Sequence, residues 1–161
     1  GGNLRYQFRQ EDLSSLIEDV LDSYRGAFAQ REITCRTTLP DQALLQQDPV
    51  RLRQLLDNLF QNSLKYTADG GELAVSLTRQ KDDTWLLTVD DSAPGVPDDA
   101  LPKLFDHLYR VESSRNRRTG GAGLGLAICQ RIVEAHGGTL HAQHSPLGGV
   151  HIQISLPGDA P

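Results

Sequence analysis

At 161 residues and 38% hydrophobic, the chain can bury a real core without disulfide or metal staples. A formal net charge of −5 argues against nucleic-acid binding through a generic basic surface. It contains neither an apolar run of about 20 residues nor a signal-peptide pattern, so no segment reads as a membrane span or an export signal.

Residues 6–9 form a short strand candidate. Asp12 sits where an N-cap belongs, ahead of Leu13, Leu16, Ile17, Val20, Leu21 and Tyr24 at helical spacing, which predicts a helix to about Gln30. Residues 33–39 alternate weakly and read as a strand, and 43–46 as another. Asp48-Pro49 opens a second helix with proline at its favoured first position, and Ala68-Asp69-Gly70-Gly71 breaks it. Residues 72–78 and 84–90 make a hairpin around Gln80-Lys81-Asp82-Asp83. Asp98 or Asp99 caps a short helix ending near Leu104. Residues 124–136 are the last helix, stopped by Gly137-Gly138, and 139–144 with 150–156 close the chain as a hairpin. Strands clustered in hairpins, with helices able to cover one face, predict a two-layer α/β sandwich of the α+β class. Cys35 and Cys129 have no metal or redox spacing and read as inert buried thiols of a reducing compartment.

Three segments carry chemistry. Asn58-Leu59-Phe60-Gln61-Asn62-Ser63-Leu64-Lys65-Tyr66 places Asn58, Asn62 and Lys65 in one narrow helical stripe with Tyr66 at its edge, while Leu52, Leu56, Leu59 and Phe60 centre on a neighbouring apolar face. Half-buried amides need partners, and beside a lysine a hydrated cation and nucleotide phosphates would serve; a plain surface helix is the bland alternative. Gly120-Gly121-Ala122-Gly123-Leu124-Gly125-Leu126-Ala127-Ile128 runs bare glycines into a helix start, a phosphate cradle that is neither a Walker loop nor a dinucleotide fingerprint. The polar, basic residues 113–119 ahead of it read as a loop whose arginines could meet phosphate oxygens or simply solvent. Trp85-Leu86-Leu87-Thr88-Val89-Asp90-Asp91 is a strand ending in carboxylates before Ser92-Ala93-Pro94-Gly95, which could accept an exocyclic amine or be ordinary turn chemistry.

In chain order, the amide helix, the aspartate with its glycine turn and the glycine cluster resemble the N box and two glycine boxes of the GHKL ATP-binding superfamily, specifically the catalytic domain of bacterial sensor histidine kinases. Leu104-Phe105-Asp106-His107-Leu108-Tyr109-Arg110 resembles that family's phenylalanine box, and the resemblance covers residues 7–156. It implies the Bergerat fold, a mixed, mainly antiparallel sheet covered by helices on one face, as a single domain over residues 1–161. It also implies ATP and Mg2+ as cofactors. Asn62 would be the magnesium ligand, with Asn58 supporting the metal one turn earlier. Lys65 would neutralise phosphate charge and Tyr66 pack near the adenine or sugar. Asp91 would accept the adenine amine, and Gly95 would let the backbone approach the base. Gly121, Gly123 and Gly125, with Leu124 and Leu126 between and after them, would wrap the phosphates, and Arg115 or Arg117 would reach the γ-phosphate.

Two positions depart from the family pattern: Ala93 replaces an expected glycine, and Leu108 replaces the second aromatic of the phenylalanine box. None of His107, His136, His141, His144 and His151 precedes an acidic-Leu-Arg-Thr-Pro-like run, so no phosphoacceptor helix is expected here. His136 reads as a helix-terminal residue meeting the dipole. The resemblance then implies γ-phosphoryl transfer to a histidine on a separate dimerisation and phosphoacceptor domain, relay to a response-regulator aspartate, and a cytoplasmic location within an inner-membrane sensor kinase without membrane contact of its own. Hydrolytic relatives in the superfamily carry a glutamate base where this chain has Asn58, and an amide cannot take a proton from water. A serine kinase and a nucleotide-free scaffold are the remaining rivals.

Overall fold

The computed structural model describes residues 5–92 and 121–159, with backbone alone for residues 121–125. In chain order it forms β1 (Arg9–Asp12), α1 (Leu13–Gln30), β2 (Thr34–Thr38), β3 (Leu44–Gln47), α2 (Pro49–Tyr66), β4 (Glu72–Arg79), β5 (Thr84–Ser92), α3 (Gly121–Ala135), β6 (Thr139–His144) and β7 (Gly148–Pro157). The main sheet has the order β2-β4-β5-β7-β6; only β2 and β4 run parallel, and β1 with β3 forms a separate antiparallel pair. This is the mixed, mainly antiparallel sheet of an α+β sandwich.

Strand alternation decides which face is covered. Leu73, Val75 and Leu77 of β4, Trp85, Leu87 and Val89 of β5, and Val150, Ile152, Ile154 and Leu156 of β7 are all buried in one core with the three helices. The intervening residues face the other way, where Ser76 and Thr88 share a hydroxyl hydrogen bond across β4 and β5. α2 lies between α1 and α3 and buries Leu52, Leu55, Leu56, Leu59, Phe60 and Ser63.

Asp12 and Asp48 both form N-caps. The Asp12 carboxylate accepts from Ser14 N at 3.0 Å, and Asp48 accepts from Val50 N and Arg51 N at 3.1 Å each. Two elements start three residues from expectation, and the boundaries of the other described elements shift by no more than two. The first strand is Arg9–Asp12, because its pairing with β3 starts only at Arg9, while Tyr6 and Phe8 turn their rings onto His136 with centroids 6.0 and 5.0 Å away. α3 begins at Gly121, so the glycine cluster forms its first turns rather than a loop before them. The short helix expected after Asp98 or Asp99 and the phenylalanine box lie outside the described residues. Cys35 and Cys129 are both free thiols, but only Cys129 is fully buried.

His136 meets its helix end differently from a charged dipole partner. Gly137 takes a positive φ of 79° to turn the chain after α3. His136 itself is 2% exposed; its Nδ1–H donates to Ile132 O at 2.8 Å, and its Nε2 accepts from Asp48 N at 3.0 Å. A carbonyl can only accept and an N–H can only donate, so the ring is neutral with one tautomer fixed. It ties the end of α3 to the start of α2.

Burial holds His136 below its ordinary value of 6.5, against the carbonyl of Ile132 and the charge of Asp48, which pull upward. The unfolded chain therefore takes up the proton first. Stability from this residue is in place above about 6.5 and is lost as pH falls towards the lower folded value. Urea melts of the wild type should show that acid-side loss. His136→Ala should cost about 2–4 kcal/mol at pH 7.5 and flatten the slope below it.

Candidate functional site

A cavity of about 30 Å³ opens between α2, α3 and the sheet, lined by Leu59, Asn62, Ser63, Tyr66, Asp91, Leu126, Val150 and Ile152. Its surface is mostly apolar, and Asp91 is the carboxylate among the lining residues. That is the usual composition of a ligand site, apolar surface with few convergent polar groups.

Asp91 reaches the cavity because β5 alternates. Asp90 points to the opposite face, where its Oδ1 accepts from Ser145 Oγ at 2.9 Å and lies 2.7 Å from His151 Nδ1. Asp91, 7% exposed, turns towards the helices. There Ser63 Oγ donates to its Oδ2 at 3.1 Å and Val150 N donates to its Oδ1 at 2.8 Å. The Val150 N–H is available through an irregularity in the ladder: Asp90 pairs with His151, but Ser92 pairs with Gly148, so β7 carries one extra residue at this point. Gly149 sits in the bulge, and a Cβ there would collide with Asp91 Oδ1 and the Ser92 carbonyl.

Burial pushes the Asp91 carboxyl up to about 6, with the charge of Asp90 adding to the rise and the hydrogen bonds from Val150 and Ser63 opposing it. The unfolded carboxyl ionises near 3.8, so stability from this group is present in acid and is lost as pH rises through 6.

The amide pair is arranged asymmetrically. Asn62 Nδ2 donates to Asn58 O at 2.9 Å, which leaves the Asn62 side-chain oxygen to accept or ligate. The Asn58 side chain is hydrogen-bonded with the Cys129 thiol, which burial pushes up to about 12 against that bond. Among the described residues no group of three or more His, Cys, Asp or Glu is placed to hold a metal ion. A cation here would rest on amide oxygen and on the ligand's own oxygens, a donor set that suits magnesium.

Of the expected residues, Asn62, Tyr66, Asp91 and Leu126 share the cavity, and Asn58 stands one turn before Asn62. Lys65 is exposed in the last turn of α2 and does not line the cavity. Gly121, Gly123, Leu124 and Gly125 lie in the first turns of α3, which delivers Leu126 to the cavity wall. Gly95, Arg115 and Arg117 lie outside the described residues. Sequence reasoning missed Leu59, Ser63, Val150 and Ile152 as lining residues. For Ser63 a signal existed, a hydroxyl in the buried stripe one turn after Leu59; Val150 depends on a bulge that no pattern announces.

Residues 47–160 match the family described as histidine kinase-, DNA gyrase B- and HSP90-like ATPases, and the chain belongs to that family. It is 51% identical to the signal transduction histidine-protein kinase BaeS of Escherichia coli K12 over 97% of its length, and spans 33% of that relative. The catalytic domain of the histidine kinase ThkA superimposes with a TM-score of 0.83 over 96% of this chain and 99% of that one, at 22% identity, which speaks to the fold. ThkA has also been solved in complex with the response regulator protein TrrA (TM-score 0.78, 22% identity, 94% of this chain and 42% of that one). Full-length ShkA in complex with AMPPNP gives a TM-score of 0.81 at 23% identity over 98% of this chain and 32% of that one. The chain is thus a histidine-kinase-type ATPase domain, about a third of the length of the BaeS relative.

Holding an ionised Asp91 at pH 7.5 costs the ligand-free fold on the order of 3 kcal/mol. Asp91→Asn keeps an acceptor for Val150 N–H and removes the charge. Its ligand-free melting temperature should lie above wild type at pH 7.5, with the gap closing towards pH 5. An unchanged or lower value at pH 7.5 would refute this account.

Proposed function

We propose that this chain binds MgATP in the cavity between α2, β5, β7 and α3 and is the phosphoryl-donating part of a two-component sensor histidine kinase. The buried Asp91 carboxylate carries the reading. An acceptor held by two donors at the floor of an apolar slot suits the exocyclic amine of adenine, with Leu59, Leu126, Ile152 and Tyr66 as surfaces for the ring and sugar.

Asn62 would ligate magnesium through its side-chain oxygen, and Asn58 would support it through the backbone carbonyl that binds Asn62 Nδ2. When bound, magnesium supplies charge neutralisation on the phosphate oxygens. Lys65 adds a further positive charge at the end of α2, and the N-terminal turns of α3 with Gly121, Gly123 and Gly125 offer backbone N–H groups and the positive end of a helix dipole. Leu124 shares those turns. Gly95 is assigned to the base edge, and Arg115 or Arg117 to the γ-phosphate.

Phosphoryl transfer depends chiefly on positioning and charge stabilisation. The acceptor would be a histidine imidazole on a dimerisation and phosphoacceptor domain, with onward transfer to a response-regulator aspartate. Identity to BaeS and the ThkA complex with its regulator support this assignment. The unpaired thiols suit a cytoplasmic location, in an inner-membrane sensor kinase, and no helix among the described residues is long and apolar enough to cross a membrane.

Calorimetry with a non-hydrolysable ATP analogue should show binding that strengthens with magnesium. Asn62→Ala should abolish most of the magnesium gain, and Asp91→Asn should weaken binding by roughly 10- to 100-fold, the value of a charged acceptor. Absence of heat at near-millimolar ligand would refute the reading. With labelled ATP the chain alone should incorporate no label, and stoichiometric incorporation would overturn the need for a separate acceptor domain.

A further inference from the structure

One hydroxyl in the cavity is given no contact with the ligand by the assignment above. Ser63 is 3% exposed, belongs to the apolar stripe of α2 and lines the cavity beside Asp91. A serine inside a helix ordinarily returns its proton to a carbonyl one turn back. Here the proton goes across to β5, onto Asp91 Oδ2 at 3.1 Å, while Val150 N holds Oδ1 at 2.8 Å from β7. Two donors from two elements grip different oxygens of one carboxylate, which opposes rotation of the group. A hydroxyl has a single proton. With that proton committed to Asp91, Ser63 can offer a ligand only lone pairs, so hydroxyl and carboxylate form one continuous accepting edge.

We infer that Ser63 is a positioning and specificity-determining residue of this site: it orients the Asp91 carboxylate in its charged form and, with it, selects a ligand edge that donates hydrogen bonds, the 6-amino edge of adenine over the 6-oxo edge of hypoxanthine. The inference rests on the nucleotide reading of the cavity. A 6-oxo group would set lone pairs against lone pairs, and accommodating it would require protonating Asp91 or turning the Ser63 hydroxyl away. The groups around Asp91 bear on its proton. Asp90 on the same strand raises its affinity for one, Tyr66 faces it from α2, and His151 of β7 lies on the far side of the sheet against Asp90. β4 contributes Leu73 in register and α3 contributes Leu126, neither of which ionises. The Ser63 hydrogen bond favours the charged carboxylate, so its removal makes Asp91 harder to ionise.

The test is calorimetry of the 161-residue chain with an ATP analogue and its inosine counterpart, magnesium held constant, from pH 5.5 to 9, for wild type, Ser63→Ala and Ser63→Thr. Wild-type affinity for the adenine nucleotide should fall in acid as Asp91 takes a proton. Ser63→Ala should shift that fall upward by about one pH unit, giving a deficit of roughly five- to tenfold near pH 6 that shrinks to about twofold at pH 9. Its preference for adenine over hypoxanthine should narrow, and Ser63→Thr, which keeps the hydroxyl, should restore both properties. A purely structural role would weaken binding equally at every pH. A constant deficit, or a Ser63→Ala profile superimposing on wild type, would overturn the inference alone. Failure of the wild-type chain to bind at any pH would overturn the nucleotide reading and this inference with it.

Discussion

A carboxylate almost fully removed from water and held by two hydrogen bonds sets the terms for this end of the fold. Asp91 is held by one donor from a helix and one from a neighbouring strand, and each donor has its own structural requirement. The β7 bulge frees Val150 N–H from the ladder, and Gly149 supplies the backbone that can pass beside the carboxylate oxygens without a side chain. Ser63 interrupts an otherwise apolar helix stripe. Local features that look unrelated along the chain, a strand irregularity, a glycine and a misplaced hydroxyl, are consequences of satisfying one buried charge.

The helix bearing Ser63, Asn62 and Tyr66 must also be held in place, and both its ends are fastened by side chains from elsewhere. At the start, Asp48 caps the first turn while its backbone N–H is taken by His136 from the end of α3. At the other end, Arg31 from the end of α1 donates to the carbonyls of Leu64 and Thr67 and to Asp69 Oδ1, the last at 2.7 Å. Those carbonyls belong to the unsatisfied set at any helix C-terminus, and a guanidinium suits both the geometry and the dipole. α2 is therefore clamped between its two neighbouring helices, which fixes how far its polar stripe stands from β5.

Most of the elements, and the α2 stripe, were legible because periodicity and caps report local physics. Asp12 and Asp48 precede helices that start where expected, and Leu52, Leu56, Leu59 and Phe60 are all buried. What escaped is non-local. Tyr6 and Phe8 alternate like a strand but pack on His136, because pairing with β3 begins only at Arg9. His136 looks like a cation for a helix end, yet the Asp48 N–H and the Ile132 carbonyl force it neutral. Glycine is a poor helix former, so the cluster delays the expected start of the last helix to residue 124, whereas α3 begins at Gly121. The accepting pair at the cavity floor needs Ser63, Asp91 and Val150 together, and their separation along the chain hides it.

Two adjacent aspartates stand near the end of β5, and the fold gives them opposite surroundings. Asp90 lies on the opposite face with Ser145 and His151, while Asp91 lies in the core with Ser63 and Val150. A one-residue slip of β5 would exchange them and also turn Trp85, Leu87 and Val89 out of the core. Each of those side chains contributes roughly 1.5–3 kcal/mol when buried, more in sum than the cost of holding Asp91 charged. The apolar alternation of β5 thus selects which of two chemically identical side chains faces the cavity. That choice is made by packing several residues away, so the site can hold an unfavourable charge without depending on that charge for its own placement.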